Sequence, residues 1–145
     1  MMRPITALPA SATPRLTPTA VPTPTGIGAL FSKISHSTNV LHLQCDPLEI
    51  IFDVTARDSQ VKGALFYYRL ENKTNGIINE WSNAEMRPAG NNIFEFIFRS
   101  KTIPEEARYQ QAWIQYQFVG LNQAGESLGN TQIFVHEINY QPDCP

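Results

Sequence analysis

Apolar and polar side chains alternate along residues 48–56, with Ile51 as the single exception, and this period of two favours β-structure in that part of the chain. The apolar set is Leu48, Ile50, Phe52, Val54 and Ala56, and the polar set is Glu49, Asp53 and Thr55. An apolar face opposite a polar face is typical of a strand in an antiparallel sheet that is buried on one side. The same alternation places Ala64, Phe66, Tyr68 and Leu70 on one face of a further strand, and Phe94, Phe96 and Phe98 on one face of another.

Segments of this kind, separated by turn residues, continue along the chain. The predicted strands cover residues 30–40, 48–56, 64–70, 77–81, 93–98, 113–121 and 131–140. Thr102–Glu105 resembles a capping box with a proline in the first turn, and predicts one turn of helix. About seven short strands without a long helical period predict an all-β sandwich of two antiparallel sheets. Its core is expected to contain Phe52, Phe66, Tyr68, Phe94, Phe96 and Phe118.

Residues 1–25 differ in composition from the rest of the chain. They contain six of the 11 prolines and six threonines, but neither acidic nor aromatic residues. Proline cannot donate a backbone hydrogen bond, and the segment lacks the large apolar side chains that would offset the entropy of ordering it. We therefore predict a disordered Pro/Thr-rich stalk or linker over residues 1–25 and one globular domain over residues 26–145. An ordinary disordered tail is the alternative for residues 1–25.

The first residues lack the apolar stretch of a complete signal peptide, because Pro4, Thr6 and Pro9 interrupt it. We therefore expect the chain to be part of a longer one, or its start codon to be misplaced behind a stalk. The longest apolar run, Ala64–Tyr68, is far shorter than the roughly 20 residues that cross a bilayer. A net charge of −2 with scattered Lys and Arg argues against nucleic acid or an anionic membrane as a partner.

Two motifs resemble the strands of a known family. Tyr116-x-Phe118-x-Gly120-x-Asn122-x-x-Gly125-x-Ser127 is similar to strand F and the F–G turn of fibronectin type III domains, and Phe66-x-Tyr68-Arg69 is similar to the end of their strand C. The resemblance extends over about residues 34–140. Phe52 stands in the second strand, where that family has a tryptophan, and the Cys…Trp…Cys spacing of antibody domains is absent. The better description is therefore an immunoglobulin-like, fibronectin type III-like module, as found on Thr/Pro stalks of bacterial surface proteins.

The two cysteines flank the predicted sandwich. Cys45 precedes the second predicted strand, and Cys144 follows the seventh. When strands alternate up and down, the start of an even strand and the end of an odd one lie at the same end of a domain. We therefore predict a Cys45–Cys144 disulfide, which places the domain outside the reducing cytosol. Two unpaired thiols are the alternative, because Cys144 lies next to the C-terminus.

The sequence contains no motif of an enzyme: it has no Gly-x-Ser-x-Gly, no His-Glu-x-x-His and no Gly-rich phosphate loop. The histidines His36, His42 and His136 are interpreted as strand residues rather than metal ligands. Asp53 and Asp58 could approach each other near a loop, but calcium needs six or more oxygens, and no Asp-x-Asp run supplies them. We therefore predict a non-catalytic protein without a metal or another cofactor.

One face of the sheet is the candidate binding surface. Tyr116 and Phe118 face inward, so their neighbours in the strand face outward, and the resemblance makes the third and sixth strands neighbours. The predicted binding residues are Tyr67, Arg69, Trp81, Trp113, Gln115 and Gln117. Aromatic rings beside Gln and Arg suit a protein interface or stacking on sugar rings. The alternative is that these aromatic residues only shield their cross-strand neighbours.

Two functions of different classes follow from these patterns. The first is an extracytoplasmic structural, adhesive or ligand-binding module on a Pro/Thr stalk, whose partner is a protein or a cell-wall polysaccharide. The second is a carbohydrate-binding module that uses the outward aromatic residues. The ligand-binding domain of a membrane-anchored receptor is a weaker third hypothesis.

Overall fold

The computed structural model describes residues 30–145. The stalk predicted over residues 1–25 and the first residues of the predicted domain lie outside this range. The strands are β1 (Phe31–His36), β2 (Val40–Leu41), β3 (Glu49–Ala56), β4 (Gly63–Asn72), β5 (Ser82–Glu85), β6 (Arg87–Gly90), β7 (Ile93–Arg99), β8 (Ala112–Leu121), β9 (Ser127–Asn130) and β10 (Phe134–Tyr140). A 3-10 turn covers Ser100–Thr102, and a short helix, α1, covers Glu105–Arg108.

Within residues 30–145 these strands form two sheets. The first sheet has the order β1-β3-β7-β6, and the second has the order β2-β10-β8-β4-β5, with β9 paired to the end of β8. Neighbouring strands are antiparallel except β2 and β10, which run parallel. Strands account for 54% of the structure and helix for 7%, far below the helix content of an average globular protein. The prediction of an all-β sandwich is confirmed.

The period of two in the sequence produces the inner faces of the two sheets. Alternate residues are buried along β3 from Ile50 to Ala56, and along β4 from Ala64 to Leu70. Phe52 lies among aromatic rings of the other sheet, with its ring centroid 4.6 Å from that of Phe66 and 5.1 Å from that of Tyr116. The predicted core residues that are buried are Phe52, Phe66, Tyr68, Phe94 and Phe118.

Two core predictions are wrong in part. Phe96 packs against the core but is only partly buried. Leu48 is 44% exposed, because β3 begins one residue later and Leu48 does not share its inner face.

The prediction of a strand at residues 77–81 is also wrong. There, a single bridge joins Glu71 to Ile78, and β4 pairs with β5 instead. The side-chain oxygen of Asn79 accepts the N–H of Leu70 at 2.7 Å, so a side chain takes the place of a strand carbonyl. The predicted strand over residues 30–40 divides into β1 in the first sheet and β2 in the second.

The predicted helical turn is present as α1, but the capping box is not. The hydroxyl of Thr102 donates to the carbonyl of Arg99 at 2.6 Å, and so does not cap the helix. Pro104 occupies the N-cap position, and no side chain there bonds to the first turn.

The predicted disulfide is present between Cys45 and Cys144, whose Cα atoms are 5.9 Å apart. Backbone bonds accompany it: the N–H of Leu43 donates to the carbonyl of Pro142 at 3.2 Å. The buried ring of His42 lies with its Nδ1 2.7 Å from the carbonyl oxygen of Gln141. The C-terminal residues are therefore fixed to the segment that precedes β3.

Tyr116 is buried in the core, as predicted, and its hydroxyl donates to a carboxylate oxygen of Glu137 at 2.7 Å. Burial of the ring raises the pKa of Tyr116 far above its ordinary value, and the hydrogen bond to Glu137 raises it further. Tyr116 therefore stays a neutral donor that ties β8 to β10.

Candidate functional site

The predicted binding residues lie on the outer face of the second sheet. In the pairing of β4 with β8, Tyr67 is opposite Gln117 and Arg69 is opposite Gln115. Trp113 is opposite Glu71, one step further along the same two strands. Trp81, in the loop before β5, reaches the same surface, since its ring contacts both Tyr67 and Arg69.

Cations of the chain itself cover both tryptophan rings. The guanidinium carbon of Arg69 lies 4.2 Å from the ring centroid of Trp81. The amine of Lys73 lies 4.4 Å from the ring centroid of Trp113. Cation–π contacts of this kind contribute about 0.5–1 kcal/mol each at exposed sites. The indole faces are therefore partly occupied before any ligand arrives.

Gln115 connects the charged groups of this surface. Its side-chain oxygen accepts a hydrogen bond from Nε of Arg69 at 2.7 Å, and its amide nitrogen donates to Glu71 at 3.0 Å. The same oxygen of Glu71 lies 3.1 Å from Nε2 of His136. We call this connected set the outer network; it consists of Tyr67, Arg69, Glu71, Lys73, Trp81, Trp113, Gln115 and His136.

The two glutamines differ from the expectation of an open binding surface. Both lie on the outer face of β8, but the side chain of each is covered by its neighbours, and each residue is only 4% exposed. Arg69 and Glu71 bind the side chain of Gln115, whereas Gln117 donates to the backbone carbonyl of Thr131 at 3.0 Å. Gln115 and Gln117 are therefore supporting residues, and a partner would contact the residues around them.

His136 is a functional candidate that the sequence analysis did not include in the surface. It has a φ of 56°, in the left-handed region that non-glycine residues rarely adopt, and it lies where the register of β10 on β8 shifts. The bulge places its ring 5.0 Å from that of Trp113. Residues with a strained backbone cluster at functional sites, and His136 is therefore a candidate functional residue of this part of the network. The period of two predicted an unbroken strand there and gave no signal of the bulge.

The charge of Arg69 is partly removed from water. Burial lowers the pKa of this guanidinium from its ordinary value, and the nearby carboxylate of Glu71 opposes that change. Its Nε is committed to Gln115, so the orientation of the side chain is fixed on the surface of Trp81. The outer network is thus a rigid surface of aromatic rings and oriented charges.

A second cluster of ionisable groups lies on the outer face of the first sheet. Asp53 and Glu95 are directly opposite each other across β3 and β7. Burial raises the pKa of Asp53, the charge of Glu95 and a hydrogen bond to it raise it further, and Lys33 opposes the change. Asp58, which the sequence analysis considered together with Asp53, accepts the N–H of Gln60 at 2.8 Å in the turn after β3.

Replacing Asp53 with Asn is expected to stabilise the fold at neutral pH, because it removes the repulsion from Glu95 and keeps a polar side chain. In the unaltered protein, Asp53 contributes most to the free energy of unfolding at a pH below its unfolded-state pKa of 3.8. That contribution is lost as the pH rises through the raised pKa of the folded state. Urea unfolding at about pH 4 and about pH 7 measures both effects. A variant that is less stable than the unaltered protein at neutral pH would contradict this account.

The three histidines have separate partners in the structure. Nδ1 of His36 lies 2.9 Å from the carbonyl of Thr38, whereas His42 and His136 bind Gln141 and Glu71. In the part of the chain that the structure describes, no three His, Cys, Asp or Glu side chains are grouped to hold a metal ion. Over the same residues, no helix has the length and hydrophobicity needed to cross a bilayer.

Comparison with known proteins yields neither a matching family model nor a similar curated protein.

Proposed function

We propose that the chain is a non-catalytic, extracytoplasmic adhesion module with an immunoglobulin-like fold, and that it binds a protein partner through the outer network. The observation that carries the proposal is the network itself. Trp, Tyr and Arg are the residue types that dominate binding energy at protein interfaces, and here they lie together on one surface.

The strand order supports the immunoglobulin-like type. In that fold, strands A, B, E and D form one sheet, and C, F and G form the other. If β1, β3, β7 and β6 are A, B, E and D, the first sheet has this order. With β4, β8 and β10 as C, F and G, the second sheet matches as well, and β5 is an added strand next to C.

The disulfide supports the location. Cytosolic proteins are kept reduced, whereas secreted and surface domains retain structural disulfides. The Cys45–Cys144 bond and a Pro/Thr-rich segment before the domain are what a module displayed outside the cytoplasm would carry.

The contacts of the tryptophans favour a protein partner over a sugar at this surface. A sugar ring binds an aromatic residue by lying flat on its face, but Arg69 occupies a face of Trp81 and Lys73 occupies a face of Trp113. A protein partner can instead use the rings together with the cations that lie on them. Because the network already fixes these side chains, little conformational entropy is lost on binding.

Substitution of either tryptophan by alanine is expected to abolish most of the adhesion. Beads that carry the full chain would be tested for attachment to intact cells of the species that encodes it, and to beads that carry the same chain. Loss of a central interface aromatic residue costs 2 kcal/mol or more, which corresponds to a roughly 30-fold weaker complex. Trp81→Ala and Trp113→Ala should both show this loss.

The matched control is Tyr109→Ala, which removes an aromatic side chain that is 64% exposed and lies outside the outer network. This variant should attach as well as the unaltered chain. Attachment that survives both tryptophan substitutions, with folding intact by circular dichroism, would overturn the proposal. Attachment to neither kind of surface by the unaltered chain would also overturn it.

A further inference from the structure

The outer face of the first sheet contains a groove of about 300 Å³. Side chains from four strands line it: Lys33 and Ser35 from β1, Asp53 and Thr55 from β3, Ala89 from β6, and Ile93 and Glu95 from β7. Bulges flank it on both sides, because the register of β1 on β3 shifts after Phe31 and that of β6 on β7 shifts after Pro88. Bulged strands bend and twist more strongly, which accounts for a concave region on an exposed sheet.

The groove presents the donors and acceptors that hydroxyl groups need. The carboxyl groups of Asp53 and Glu95 accept hydrogen bonds, the amine of Lys33 donates them, and the hydroxyls of Ser35 and Thr55 can do either. The side chain of Ile93 adds an apolar wall. A small set of converging polar groups beside an apolar surface is the usual composition of a small-ligand site, and the volume lies at the lower end of the range of such sites.

The charges around the groove balance. Asp53 and Glu95 carry two negative charges when both are ionised, Lys33 lies in the groove, and Arg87 forms an ion pair with Glu95 at its margin. Two cations therefore oppose two anions, and the site has no net charge that would select an ion. Partial burial of Asp53, which raises its pKa, shows that water solvates this carboxyl group incompletely. A ligand hydroxyl that donates to this carboxyl group would replace part of the lost solvation.

We propose that this groove binds a neutral saccharide unit, with Asp53 and Glu95 accepting hydrogen bonds from adjacent sugar hydroxyls. The site lies on the opposite sheet from the outer network, and it does not depend on the function proposed for that network. It differs from the carbohydrate site expected from the sequence in both position and chemistry, since it uses carboxyl groups in a groove rather than exposed aromatic rings.

The test is a titration of the full chain, labelled with ¹⁵N, with the methyl glycosides of glucose, galactose, mannose and N-acetylglucosamine. At least one should cause saturable amide shifts that centre on Ser35, Asp53, Thr55 and Glu95, with a Kd in the millimolar range typical of a single sugar. Glucosamine and glucuronate are charged sugars, and both should bind more weakly than the neutral glycosides, because the groove has no net charge that would attract an ion.

Two variants test the residues. Thr55→Val keeps the shape of the side chain and should weaken binding about fivefold, and Asp53→Asn should weaken it about tenfold through loss of a charged acceptor. Asp53→Asn is expected to fold, because it relieves repulsion. The control, Thr74→Val, changes an exposed loop threonine in the same way and should leave affinity unchanged.

Three results would overturn the proposal: no saturable shift with any of the neutral glycosides, shifts that centre on the outer network instead, or unchanged affinity in both groove variants. The adhesion experiment probes the other sheet with other substitutions, so the first and third results do not bear on it. Sugar-induced shifts on the outer network would also count against a protein partner there.

Discussion

Removal of the Cys45–Cys144 bond is expected to lower the free energy of unfolding by roughly 4–5 kcal/mol. The bond joins residues 99 positions apart, and in the chain-entropy model a crosslink that closes a loop of about 100 residues stabilises by this amount through the unfolded state. Cys144 is exposed and Cys45 is only partly buried, so a serine at either position changes little packing. The double variant Cys45→Ser/Cys144→Ser should therefore report the crosslink rather than a cavity.

Urea unfolding with and without a thiol reductant supplies a matched control for this prediction. Reductant should destabilise the unaltered protein to the level of the double variant, and should leave the double variant unchanged. If the double variant were within about 1 kcal/mol of the oxidised protein, the crosslink would not have the role assigned to it.

Replacement of Phe52 with alanine is expected to cost roughly 3–5 kcal/mol. Its side chain is fully buried and contacts rings from the second sheet, with the centroids of Phe66, Tyr116 and Phe118 all within 6.1 Å. Truncation would remove these contacts and leave a cavity between the two sheets, which β3 and β7 on one side and β4 and β8 on the other cannot easily close.

The control for Phe52 is its neighbour Ile51, which lies on the opposite face of β3 and is 36% exposed. Ile51→Ala should cost clearly less in the same chemical unfolding experiment. Equal losses of stability at the two positions would mean that the face of β3 with Phe52 is not the face that the sandwich buries. A loss below about 1 kcal/mol for Phe52→Ala would lead to the same conclusion.

The central strands could be predicted because their signal is local. The alternation along β3 and β4 already identifies which side chains are buried, since strand geometry fixes the two faces without reference to any partner. The disulfide was predictable for a related reason. The structure has more strands than were predicted, but the extra ones do not reverse the up-and-down order. Each either arises where a predicted strand is divided or runs in the same direction as the strand next to it in sequence, as β6 does after β5 and Met86. Cys45 and Cys144 therefore remain at the same end of the domain.

The parts that depend on sheet order could not be predicted in this way. Asp53 and Glu95 lie 42 positions apart in sequence (95 − 53), and they meet only because β3 and β7 are neighbours. The burial of Gln115 depends on the positions of Arg69 and Glu71 in β4, and the φ of His136 reflects a bulge without a sequence signal. Five of the six predicted surface residues belong to the outer network. Tyr67, Arg69, Trp81 and Trp113 are half-buried there, whereas Gln115 is buried beneath its neighbours, as is Gln117 outside the network.

The position of the disulfide also determines how the domain would carry mechanical load. Tension applied between residue 30 and residue 145 runs along residues 30–45, crosses the Cys45–Cys144 bond and leaves through Pro145. Residues 46–143 form a closed loop that is not in the line of force, and this loop contains β3 to β10 with most of the aromatic rings of the core. Only β1 and β2 can be peeled away while the bond is intact, so a module pulled from both ends would lengthen by a short, fixed amount and keep the outer network folded, whereas the groove on the first sheet would lose Lys33 and Ser35 with β1.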